Sequence, residues 1–84
     1  MSKVIVYGAE WCAFCHEAMR YFDKLGVKYE YRNVDENPAW GMEAVQKSSQ
    51  YGIPVLDIDG DIVVGFDRPR INDALKSKKL IHNT

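Results

Sequence analysis

Eighty-four residues fill one hydrophobic core and leave no room for a second, so a single domain over residues 1–84 is expected. A hydrophobic share of 46% is too high for intrinsic disorder, and a net charge of −1 gives no electrostatic reason to bind nucleic acid or an acidic membrane. The opening apolar run Val4-Ile5-Val6-Tyr7 is shorter than the roughly 7–15 residues of a signal-peptide core, and no run approaches the roughly 18 of a membrane span, so a cytoplasmic protein is expected.

That first run is β-branched and bounded by Gly8, short enough for a buried strand. From Ala13 onward, Phe14, Cys15, Ala18, Met19, Phe22 and Leu25 fall at helical spacing, and Gly26 supplies the stop. Residues 27–34 alternate Val27, Tyr29 and Tyr31 with Lys28, Glu30 and Arg32, which predicts a second strand with one wetter face. Asn37-Pro38 reads as an N-cap followed by proline at the first helical position, opening a helix to about Ser48 that Gly41 weakens. Residues 54–58 and 61–64 flank Asp59-Gly60, the signal for a two-residue type I′ hairpin turn. Asp67 caps a last helix with Ile71, Ala74 and Leu75 as its buried stripe. It should end at Lys76-Ser77-Lys78-Lys79, where cations meet the negative end of the helix dipole. The order is β-α-β-α-β-β-α: a parallel strand–helix–strand crossover, then an antiparallel hairpin. The expected class is α/β, a four-stranded mixed sheet flanked by three helices.

Cys12-Ala13-Phe14-Cys15 falls where the loop after the first strand enters the first helix. Cysteines this close cannot staple the fold, because closing so short a loop removes little chain entropy. In a reducing compartment such a pair is catalytic or metal-binding rather than structural. At a helix N-terminus, unpaired backbone N–H groups and the helix dipole stabilise an anion, favouring a Cys12 thiolate below the free-thiol pKa of about 8.5. Cys15, one turn inside the helix, faces the same side and is shielded from solvent. Cys12 is then the nucleophile that attacks a disulfide, and Cys15 resolves the mixed disulfide. Trp11 and Phe14, beside the helix start, are expected to form an apolar docking rim. His16 reads as an exposed first-turn residue without catalytic duty, and Trp40 has no assigned place.

With Ile53-Pro54 before the hairpin and Gly65-Phe66-Asp67 before the last helix, the motif resembles the glutaredoxins and glutaredoxin-like redoxins, from Val4 to about Leu75. The resemblance implies a thioredoxin-like fold and a dithiol oxidoreductase that reduces protein or small-molecule disulfides. It implies a monomer with no bound cofactor, drawing electrons from glutathione or from an NADPH-dependent thioredoxin reductase. Trp11, Phe14, Ile53, Pro54, Gly65, Phe66 and Asp67 would line the substrate site. The Ile53–Pro54 bond would be cis and face the cysteines, leaving the Ile53 backbone to pair with an extended substrate.

The chain also departs from that pattern. Ala13 and Phe14 replace the frequent Pro and Tyr, and Trp11 is more like a thioredoxin. Ala9 and Gln50 stand where glutathione users carry cations, and Phe66 replaces the second glycine of a Gly-Gly pair. Only Asp67 matches the carboxylate that receives the glutathione ammonium group. These departures imply weak glutathione binding and a reductase as donor.

Other readings of the cysteines are poorer fits. Cys12 to His16 formally matches the C-x-x-C-H haem-attachment pattern, which goes with export. Zinc calls for about four ligands, against two Cys and two His, with His82 in the tail. An iron–sulfur binding or carrier module using Cys12 is the alternative function, and its cluster would need thiols from outside the chain. Two buried structural cysteines are the plain alternative, against which Glu10 and Trp11 mark a solvent-facing position.

Overall fold

In the computed structural model, which describes residues 3–81, all of β1 (Val4–Gly8) is buried, as a central strand covered on both faces must be. It lies between β2 (Glu30–Asn33), parallel to it, and β3 (Val55–Ile58), antiparallel. β4 (Asp61–Val64) pairs antiparallel with β3, so the sheet order is β2-β1-β3-β4. The pleat divides β1 between two clusters. Val4 and Val6 pack with Cys15, Ala18 and Phe22 of α1 (Ala13–Leu25) and with Ile71, Ala74 and Leu75 of α3 (Arg68–Ser77). Ile5 and Tyr7 face the other way, onto Ala44 of α2 (Pro38–Ser48). This is the four-stranded mixed sheet with three helices that the element order implied, and the thioredoxin-like fold that the resemblance implied.

The local signals act where the sequence placed them. Asn37 Oδ1 accepts the Ala39 N–H at 3.0 Å, with Pro38 opening α2. Asp59 and Gly60 both have positive φ, 51° and 97°, and Ile58 pairs with Asp61, as a type I′ turn requires. Asp67 Oδ1 accepts the Arg70 N–H at 3.3 Å at the start of α3. The Lys78 ammonium group, at the C-cap of that helix, lies 3.9 Å from Asp61. His82 lies outside the described residues.

Two expectations are corrected. The second strand covers only Glu30–Asn33, not residues 27–34. Gly26 ends α1 in a left-handed conformation, and the Val27 N–H then bonds back to the Phe22 carbonyl at 2.9 Å. Val27 is thus held by a helix cap, and its burial reflects packing beneath α1 rather than strand pleat. Gly8 does not bound the first strand but belongs to it, paired with Asn33.

Candidate active site

Cys12 is the N-cap of α1, with an extended backbone (φ −89°, ψ 104°). Its sulfur accepts the Cys15 N–H at 3.2 Å, the place usually taken by a Ser or Asp oxygen. One of the helix's orphan donors is therefore aimed at this sulfur. Cys12 and Cys15 are joined as a disulfide, with Cα atoms 5.2 Å apart. Cys15 is fully buried, as expected, and Cys12 is only 6% exposed, more covered than its place before the helix implied.

Two loops close on the pair. The Cys12 sulfur lies 3.9 Å from the Ile53 carbonyl oxygen, and the Ile53–Pro54 bond is cis, as the resemblance implied. The Pro54 carbonyl accepts the Gly65 N–H at 2.8 Å, which brings Gly65, Phe66 and Asp67 to the site from the α3 side. On the other shoulder Trp11 is 72% exposed and Phe14 65% exposed, the surface the sequence assigned to a rim. Phe66 is half-buried, edge-on to Tyr21 with ring centroids 5.8 Å apart.

Several neighbours escaped the sequence reading. A Cβ on Gly8 would stand 2.8 Å from the Cys15 sulfur and 3.0 Å from its Cβ, so this strand end is glycine for room rather than for backbone freedom. Trp11 Nε1 donates to Asp35 at 2.8 Å, and the Tyr31 hydroxyl donates to Glu10 at 2.9 Å. Burial first, then the Glu10 hydrogen bond, push the Tyr31 hydroxyl up to about 12. His16 is half-buried rather than exposed, and its Nε2 sits 2.8 Å from the Glu10 carbonyl. Trp40, unplaced by sequence, packs half-buried against the α2-side cluster, with Arg32 6.0 Å from its ring. A single Gly, Trp or Tyr in the sequence carries no hint of such contacts, because the partners are brought in from other elements or across the turn before α1.

The sequence profile of the glutaredoxin family matches residues 4–63. The chain belongs to the glutaredoxin family. Glutaredoxin 3 of Escherichia coli K12 is 30% identical over 67 residues, covering 80% of this chain and 81% of that protein. An uncharacterized glutaredoxin-like 8.6 kDa protein of the rubredoxin operon of Clostridium pasteurianum is 28% identical, over 84% of this chain and 95% of the relative. Among solved structures, the glutaredoxin-like NrdH-redoxin of Escherichia coli superposes with a TM-score of 0.74 at 27% identity, covering 84% of this chain and 92% of that one. Its structure is described as the basis of a thioredoxin-like activity profile.

Against the glutaredoxin pattern, the departures acquire positions. Ala9 is fully buried in the α1-side cluster, not open on a loop, so a cation there would have to be threaded out of apolar packing. Gln50 is committed to its own loop: its amide donates to the Gly52 carbonyl at 2.8 Å and accepts the Gly52 N–H at 2.6 Å. Asp67 is engaged as the α3 cap, with Arg70 Nε 3.5 Å away.

Proposed function

We propose that this glutaredoxin-family protein is a dithiol oxidoreductase in which Cys12 is the nucleophile and Cys15 the resolving thiol. The observation that carries the reading is the Cys15 N–H held 3.2 Å from the Cys12 sulfur at the first turn of α1, beside the Ile53 carbonyl. When the pair is reduced, that N–H and the helix dipole favour the Cys12 thiolate. It attacks one sulfur of a substrate disulfide, forming a Cys12–substrate mixed disulfide and releasing the other half as a thiolate. Cys15, after losing its proton, attacks the Cys12 sulfur, which restores the Cys12–Cys15 disulfide and releases the second substrate thiol. The substrate gains two electrons and the protein loses two. Ile53 offers backbone to an extended substrate, with Trp11, Phe14, Pro54, Gly65, Phe66 and Asp67 around it.

The electron donor in this reading is an NADPH-linked thioredoxin reductase rather than glutathione. Glutathione presents two carboxylates and one ammonium group. Neither Ala9 nor Gln50 offers a cation, and Phe66 occupies the place where a glycine lets glutathione approach the backbone. Each exposed ion pair is worth only about 0.2–1 kcal/mol, so missing cations weaken binding modestly and the phenyl ring adds a steric term. The thioredoxin-like activity profile described for NrdH-redoxin supports the same donor. A coupled assay tests it: the reductase with NADPH should reduce the Cys12–Cys15 disulfide faster than glutathione does. Turnover of glutathione mixed disulfides at ordinary glutaredoxin rates would overturn the donor assignment and leave the dithiol chemistry standing.

A further inference from the structure

A recess between α1 and the start of α3 is lined by Glu17, Arg20, Tyr21, Lys24, Phe66 and Arg68. Three cations there face one carboxylate. Arg20 pairs with Glu17 on its own helix, whereas Lys24 and Arg68 have no carboxylate within salt-bridge distance among the described residues. The Arg68 guanidinium stacks 4.8 Å from the Tyr21 ring centroid, and Tyr21 meets Phe66 edge to face. Phe66 follows Gly65, whose N–H bonds the Pro54 carbonyl, so one wall of the recess continues from the loop that carries Ile53 beside Cys12. The opposite shoulder has the other sign: Asp35 holds Trp11, Glu10 holds Tyr31, and Glu36 accepts from Asn33.

We propose that the protein reduced at this site is one that lays an acidic segment on Arg20, Lys24 and Arg68 while its disulfide reaches Cys12. The inference rests on the oxidoreductase reading and names the partner that reading leaves open. Small free anions are poorly served here, because Arg20, Lys24 and Arg68 are all exposed and their charges are screened by solvent. A segment tethered to the reacting disulfide instead brings its carboxylates at high local concentration, and Tyr21 and Phe66 give its apolar atoms a surface. Opposite charges on the two shoulders fix the orientation, since a reversed partner would set its carboxylates against Asp35 and Glu10. The attraction accelerates encounter and is screened by salt.

The test uses three synthetic peptides with one cysteine in mixed disulfide with thionitrobenzoate, flanked by Glu, Lys or Gln segments. Release of thionitrobenzoate by the reduced protein gives the exchange rate. At low salt the Glu peptide should react about tenfold faster than the Lys peptide. The gap should close as salt approaches about 1 M, where screening acts within about 3 Å. In the Arg20→Glu, Lys24→Glu, Arg68→Glu triple variant the order should reverse, with the Gln peptide unchanged. That unchanged rate also shows the variant is folded. Equal rates for the Glu and Lys peptides in the wild type, or a faster Lys peptide, would overturn the proposal. So would citrate or a single-stranded oligonucleotide slowing the Glu peptide more than sodium chloride of equal ionic strength does, because the recess would then be a site for a small anion or a nucleic acid. No release from any of the three peptides would instead refute the oxidoreductase reading beneath it.

Discussion

On one face of the sheet, Cys15, Phe22, Ile71 and Leu75 close over Val4 and Val6 as an apolar cluster that also holds Cys12. On the other face, the buried Tyr7 hydroxyl donates to Glu43 at 2.8 Å and accepts from Lys47 at 2.8 Å. Lys47 continues to Asp57 at 2.6 Å, and Arg32 bridges Glu43 and Glu30. Helix α1 is thus attached mainly by apolar packing, and α2 by a charged network laid beside the smaller apolar cluster around Ala44. The difference follows from what each face must do. Packing holds the sulfurs in place without setting a fixed charge beside them, whereas an ion network near the cysteines would perturb their ionisation when reduced. The α2 side tolerates its charges because each has a partner.

Substitutions on the two faces should therefore fail in different ways. The largest effect is expected from Cys12→Ser, which should remove thiol exchange down to background in any disulfide-reduction assay. Retained turnover would shift the nucleophile to Cys15. Cys15→Ser should leave the first attack intact and accumulate mixed disulfides, visible as adduct mass by intact-protein mass spectrometry.

Gly8→Ala tests the close packing of the sulfur face. The new methyl group must displace Cys15, costing about 1–3 kcal/mol in denaturant unfolding, as overpacking does. In a Cys15→Ala background most of that cost should vanish. A penalty unchanged by removing the sulfur would mean that Gly8 answers to something other than Cys15.

Tyr7→Phe tests the charged face. Losing a hydroxyl bonded to charged partners should cost about 1.5–3 kcal/mol of stability while exchange rates stay at the wild-type value. An altered exchange rate in a folded variant would join the two faces functionally and break the comparison.

The smallest effect is the pH dependence of that network. The Tyr7 hydroxyl, aided by Arg32 and against burial, holds the Glu43 carboxyl below its ordinary 4.5, and Arg32 and Lys3 do the same for Glu30. Carboxyls depressed in the folded state contribute stability above 4.5 that is lost as pH falls through the folded values. At the alkaline end, burial raises Tyr7, and Lys47 is raised because its bonds to Asp57 and Tyr7 outweigh its own burial. Both contributions are lost as pH rises, beyond 10.0 for Tyr7 and beyond 10.5 for Lys47. Thermal unfolding across pH should therefore weaken at both extremes, and Glu43→Gln should flatten the acid limb. An acid limb unchanged by that substitution would remove Glu43 from the account.

Much of this molecule was legible before its tertiary structure. The helix starts at Ala13, Pro38 and Arg68, the stop at Gly26 and the Asp59-Gly60 turn are set by residues within a few positions of each other, and their backbone preferences act without long-range help. The same locality places Cys12 at the start of α1 and Cys15 one turn on, so the position of the pair could be read from the sequence. Tertiary structure decided what depends on residues remote in sequence. Trp11 meets Asp35 and Tyr7 meets Lys47, pairings that no local pattern encodes. The second strand shortened because its first residues were claimed by the cap of α1 and packing beneath it, a competition invisible to alternation alone. Ala9 turned inward and Gln50 became a loop brace for the same reason: a side chain's role is fixed by whichever neighbour the fold brings within reach, and period and propensity say only which way the backbone runs.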